Sequence, residues 1–181
     1  DLHRLSQGDG DLGVRMARAL EGLLRQAPKA ALLGSDAPDL PVELVHQAFA
    51  ALDSHTVVTA PAADGGYVLI AEREHAPEVF SDIPWSSADV LPRTRARAAQ
   101  ARLAYAEVAK WEDLDDVEAL RRLLQRSPSS QTARYLRQHL SSLLSPLPHP
   151  AGAGQSGERA RAPPVQQPTE WEHTARAEQP G

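Results

Sequence analysis

Ala30-Ala31-Leu32-Leu33-Gly34-Ser35-Asp36-Ala37-Pro38-Asp39-Leu40 is the stretch on which the fold turns. Its short apolar run, bounded by Gly34, reads as a buried strand of a length suited to a parallel sheet covered on both faces. Gly34 lets the backbone turn sharply and leaves Asp36 just beyond the strand's carboxyl end, the edge at which open α/β sheets bind ligands. Pro38 fixes its own φ and pushes Ala37 toward an extended conformation, and Pro41 suits the first turn of a helix over Val42 to Leu52. A committed carboxylate between strand and helix is well placed to hold a divalent cation against phosphate oxygens. Asp is also a favoured helix cap. Asp39 is assigned mainly to that role, and Asp36 stands open between cap and ligand.

Downstream, Thr56-Val57-Val58-Thr59-Ala60 is a β-branched run and a strand. It empties into Pro61-Ala62-Ala63-Asp64-Gly65-Gly66, and Tyr67-Val68-Leu69-Ile70 resumes as strand. The Asp-Gly pair is compatible with a hairpin turn, but the loop is longer than a tight hairpin needs. Two adjacent glycines also let backbone approach a ligand, so a functional and a structural reading of this loop both stand. Residues 71 to 86 are irregular and end in Ile83-Pro84-Trp85-Ser86. Ser86 or Ser87 can cap a helix from about Ala88 to Ala101; its arginines are read as a solvated face. Leu103 to Val108 is a further strand, followed by Lys110-Trp111-Glu112-Asp113-Leu114-Asp115-Asp116 and a helix bearing Val117, Leu120 and Leu124. Asp115 with Glu118 forms a capping-box pattern, which gives Asp115 a structural task and leaves Asp113 for chemistry.

Upstream, residues 1 to 11 are a polar, glycine-punctuated loop. Leu12, Met16, Ala19, Leu20, Leu23 and Leu24 recur at helical spacing, so residues 12 to 26 form an amphipathic helix that Asp9 or Asp11 can cap. His46 lies off the apolar stripe of the Val42 helix and is read as solvated. Beyond Arg126 the composition shifts to Pro, Ser, Gly, Gln and Ala, with more than half of the 15 prolines. Thr132 to Leu144 fits one amphipathic helix within a 127–144 segment. Residues 145–181, Trp171 among them, are expected to be disordered, because too little apolar surface is present to offset ordering entropy.

The order helix, strand, helix, strand, loop, strand, helix, strand, helix predicts one three-layer α/β/α domain over residues 1–126. The sheet is expected to be mostly parallel, with an antiparallel element at 57–70. The chain has 181 residues, no cysteine and a formal net charge of −5. Disulfides, thiolate catalysis and zinc sites built on cysteine are therefore excluded. The mildly acidic balance gives no footprint for nucleic acid, and no apolar run approaches the ~20 residues that span a bilayer. A cytoplasmic protein is the expectation. The chain opens on Asp1 in mid-pattern, so further sequence is expected to precede it.

Five stretches in order, Gln7-Gly8-Asp9-Gly10-Asp11-Leu12-Gly13-Val14-Arg15-Met16, Gly34-Ser35-Asp36-Ala37-Pro38-Asp39-Leu40, Pro61-Ala62-Ala63-Asp64-Gly65-Gly66-Tyr67, Ile83-Pro84-Trp85-Ser86 and Asp113-Leu114-Asp115, are similar to a known family. Over about residues 5 to 124 the chain resembles the glycosyltransferase-like family of GT-A fold called selenodomain-associated transferase 1, related to sugar-nucleotide and cofactor nucleotidyltransferases. The resemblance implies a transferase that binds a nucleotide or nucleotide-sugar and Mg²⁺ or Mn²⁺. It puts Asp36 and Asp113 on the metal and Asp64 with Gly65 and Gly66 in the acceptor-side loop, with Asp64 as the catalytic candidate. Gln7 and Gly8 resemble the segment near the nucleobase. The family's Gly-rich, Lys/Arg-containing phosphate loop and its first strand have no counterpart here, and its usual Thr-Pro after the late acidic pair is Asp116-Val117. The chain is thus expected to be a piece of a longer transferase or a degenerate relative. Three functions remain open: a metal-dependent sugar transferase, a nucleotidyltransferase acting on a phosphorylated acceptor, and a non-catalytic interaction module. The acceptor and the oligomeric state are not legible.

Overall fold

A computed structural model describes residues 4–140. Its sheet has four strands, β1 (Ala30–Leu33), β2 (Val57–Pro61), β3 (Tyr67–Glu72) and β4 (Tyr105–Glu107), in the spatial order β1-β3-β2-β4. β3 is antiparallel to both β1 and β2, and only β2 with β4 is a parallel pair. The sheet is therefore mixed, which corrects the mostly parallel expectation. The physical reason is the hairpin. β1, β2 and β4 run in one direction, as helical crossovers require, but the five-residue loop after β2 sends β3 back along it. β3 then occupies the place between β1 and β2 where a parallel ladder would otherwise form.

β1 is consequently an edge strand among the described residues, not a central one, and only Ala30 of its four side chains is buried. β2 and β3 match Val57 to Glu72 and Ala60 to Leu69, then Pro61 to Tyr67, so Val68 is the extra residue of a bulge. The bulge has a packing consequence. Val68 joins Leu69 and Ala71 on one face of the sheet, and Tyr67 returns to the other.

Helices cover both faces. Against one, α2 (Val42–Ala51) and the residue after it set Leu44, Ala48 and Leu52 on Val58, Ala60 and Leu69. Against the other, Leu20 of α1 (Leu12–Leu24), Ala98 of α3 (Val90–Gln100) and the 3₁₀ turn Pro77–Phe80 pack on Ala30, Val57 and Ile70. Gly13 lets α1 approach closely, because a Cβ there would lie 2.8 Å from both the Phe80 carbonyl and the Trp85 ring. Helices α4 (Val117–Arg126) and α5 (Gln131–His139) close over a separate small core of Leu123, Ala133 and Leu136.

The caps differ in part from the sequence expectation. Asp11 does cap α1, accepting from Val14 N at 2.9 Å. Asp116, not Asp115, caps α4, accepting from Ala119 N at 2.6 Å. Asp39 caps nothing: α2 starts from Pro41 without a side-chain cap. Ahead of α3, which begins at Val90 without a side-chain cap, Ser87 Oγ accepts from Asp89 N at 3.2 Å. His46 is exposed. No helix among the described residues is long and apolar enough to cross a membrane. The expectations for 141–181, the last four residues of the Thr132–Leu144 helix and Trp171 included, lie outside the described residues.

Candidate functional site

β1 ends where Gly34 N donates to the Val68 carbonyl at 2.9 Å, which leaves Ser35 and Asp36 exposed above the carboxyl end of the strand. Two other segments come to the same place. The β2–β3 loop is closed by Ala62 N donating to Gly66 O at 3.0 Å, and within it Asp64 Oδ1 accepts from Gly66 N at 2.8 Å. Gly65 has φ +97°, and a Cβ there would sit 2.7 Å from Ala88 Cα. Its carbonyl accepts from Leu91 N at 2.9 Å, so the loop is pinned to the start of α3. After β4 the chain stays extended beside β2: Val108 N donates to Thr59 O and Trp111 N to Pro61 O, each at 2.9 Å. It then crosses to the β1 loop, where Leu114 N meets Asp36 O at 2.9 Å.

These three segments bound an open pocket of about 550 Å³. Asp36, Asp64 and Asp113 line it, as do Leu12, Arg15 and Met16 of α1 and Trp85. Carboxylate oxygens of Asp64, Asp113 and Asp115 all come within 4.8 Å of one another. Burial raises the pKa of Asp113, and the negative charges of Asp115, Asp64 and Asp36 raise it further.

The structure brings Asp36, Asp64, Asp113, Gln7 and Gly66 to this one pocket. Gln7 Oε1 accepts from Arg15 Nη1 at 3.2 Å on the α1 side. Gly8 and Gly65 are not among the residues that line it. The converging triad differs from the pair named from sequence: Asp115 belongs to it, while Asp36 stands beside it through its main chain. The Asp115–Glu118 capping-box pattern hides Asp115 in the sequence, because the cap that forms is Asp116, one residue later. The only signal in the sequence is that two aspartates, 115 and 116, share a turn that needs one cap.

Comparison with known proteins supports a GT-A-like transferase fold for this mixed α/β sheet and the carboxylate-lined pocket at the carboxyl ends of its codirectional strands. Residues 1–87 match the profile of the family described as "Uncharacterized protein conserved in bacteria (DUF2064)". The chain is also similar to a crystal structure from Desulfovibrio desulfuricans G20, provisionally named a nucleotide-diphospho-sugar transferase. The identity is 36%, the TM-score is 0.69, and the match covers 76% of this chain and 63% of that one. The chain therefore spans less than two thirds of that structure's length. No curated protein matches it.

Proposed function

We propose that this chain carries the acidic site of a metal-dependent transferase that uses a nucleotide or nucleotide-sugar donor, of the selenodomain-associated subtype. The convergence of Asp64, Asp113 and Asp115 within 4.8 Å is the observation that carries this reading. Carboxylate oxygens are hard donors, the set that suits Mg²⁺ or Mn²⁺, and a cation there would offset the repulsion from Asp115, Asp64 and Asp36 that adds to burial in raising the Asp113 pKa. Asp113 and Asp115, with the neighbouring Asp36, would hold the ion, leaving Asp64 beside it for the acceptor; when bound, the ion neutralises charge on the donor's diphosphate.

The chain's own residues do the rest. The Asp64 loop, fixed by Gly66 N and by its contact with α3, keeps a carboxylate at the pocket mouth, where it orients or deprotonates an acceptor hydroxyl. Gln7 and Gly66 line the space left for the donor. The similarity to a protein named as a nucleotide-diphospho-sugar transferase favours sugar transfer over nucleotidyl transfer.

Calorimetry with Mn²⁺ and a panel of nucleoside diphosphates and nucleotide-sugars tests this. Wild-type protein is expected to bind, and Asp36→Ala and Asp113→Asn to lose metal-dependent binding; equal binding by wild type and variants overturns the assignment. Pyrophosphate release from a nucleoside triphosphate would assign nucleotidyl transfer instead. A chain that unfolds cooperatively yet binds neither Mn²⁺ nor nucleotide is an interaction module.

A further inference from the structure

Two of the three segments that bound the pocket, the β1 loop and the stretch after β4, are bridged by one guanidinium as well as by the Leu114–Asp36 main-chain bond. Arg126, the last residue of α4, donates from Nε and Nη2 to the two oxygens of Asp39 at 2.7 and 3.1 Å. Its Nη1 donates to Glu112 Oε2. Asp39 has a side chain only 2% exposed and accepts two further bonds, from Ser127 Oγ at 2.9 Å and Trp111 Nε1 at 3.4 Å. The guanidinium also lies over the Trp111 ring, 5.1 Å from its centroid. Asp39 stands three residues past Asp36 on the β1 loop, and Glu112 immediately precedes Asp113 on the β4 segment. One planar fork thus grips both loops, each beside a candidate metal ligand.

We propose that Arg126 is a positioning residue for this site: its paired bonds to Asp39 and Glu112, together with the Leu114–Asp36 main-chain bond, hold the spacing at which the Asp36 loop and Asp113 face one another. This rests on the reading of the pocket as a cation site. These bonds, with that from Arg122 Nε to Glu112 Oε1 at 2.6 Å, withdraw Asp39 and Glu112 from that site, so the acids near the pocket divide into those that face the ligand and those that hold the frame. A Lys cannot substitute, because an ammonium lacks the planar fork that engages Asp39 bidentately while reaching Glu112.

Mn²⁺ binding, followed by the electron paramagnetic resonance of the free ion, tests the proposal through the sign of the effect. Removing a cation near a cation site tightens Mn²⁺ binding if charge alone matters. Loss of alignment weakens it. Arg126→Gln is expected to weaken Mn²⁺ binding roughly tenfold or more, the scale of change when a group that orients metal ligands is removed. Arg126→Lys retains the charge and is expected to weaken it as well, which covers the case in which Arg126→Gln does not fold. Val79→Ala, in the core on the face of the sheet covered by α1 and α3 and not among the pocket-lining residues, is expected to lower the unfolding midpoint without changing Mn²⁺ affinity. If wild type binds Mn²⁺ and the folded Arg126 variants bind it equally or more tightly, the positioning role is wrong while the cation site stands. If wild type binds no Mn²⁺, the cation-site reading falls and takes this proposal with it.

Discussion

The main-chain N–H of Leu114 donates to the carbonyl of Asp36 across 2.9 Å, joining segments that the sequence separates by most of the domain. This bond sets Asp113 beside the β1 loop. The Leu114 amide is expected to exchange slowly with solvent, and Mn²⁺ is expected to slow it further, because an ion held by both segments opposes their separation. Hydrogen-exchange mass spectrometry with and without Mn²⁺ measures this. Unaltered exchange at Leu114 under saturating Mn²⁺ would mean that the ion does not join the two segments.

Asp115 and Asp116 are neighbours with separate tasks. Asp116→Asn or Asp116→Ala acts on the α4 cap, and the Ala variant is expected to cost about 1 kcal/mol of stability with Mn²⁺ affinity unchanged. Asp115→Asn is expected to do the reverse, weakening Mn²⁺ binding at near wild-type stability. Urea melts and metal titrations of the two variants decide it, and an exchange of the two phenotypes would put Asp115 back on the helix.

Gly65→Ala meets two obstacles: a backbone at φ +97° and the main chain of Ala88. The expected loss is more than about 1 kcal/mol, the scale at which a left-handed glycine resists replacement. A wild-type urea midpoint in this variant would show that the loop is not held against α3.

Glu72 provides a pH dependence that is independent of the pocket. Its side chain is wholly buried; one oxygen lies 3.3 Å from His75 Nδ1, and the other has no partner among the described residues. Burial raises its pKa above the ordinary 4.5, against the lowering effect of His75. The folded chain therefore keeps this proton to higher pH than the unfolded chain does. The group's contribution to stability is complete below 4.5 and is lost as pH rises through the folded value. Glu72→Gln cannot titrate, so its stability relative to wild type should improve as pH rises above 4.5. Denaturant melts across that range check the direction, and a relative stability independent of pH would contradict it.

Much of the local structure is legible in the residues themselves. The apolar spacing of residues 12 to 24 gives α1, the β-branched Val57-Val58-Thr59 gives β2, and the Asp-Gly-Gly loop turns the chain. Pairing was harder to read. The apolar run Ala30–Leu33 looks the same whether its neighbour is parallel or antiparallel, because four small or apolar side chains carry no record of the partner's direction. Asp39 was likewise misread, since a carboxylate before a helix looks like a cap whether it bonds that helix or an arginine eighty-seven residues away.

The sequence by itself determined the main helices and strands and the absence of cysteine chemistry, because these depend on residue type and near-neighbour spacing. Only the tertiary structure decided which carboxylates meet. Asp64 and Asp115 come together through the insertion of β3 between β1 and β2 and the extended path after β4, contacts made across long stretches of chain. Short-range patterns fix what a segment is; the closing of distant segments on one another fixes what it faces.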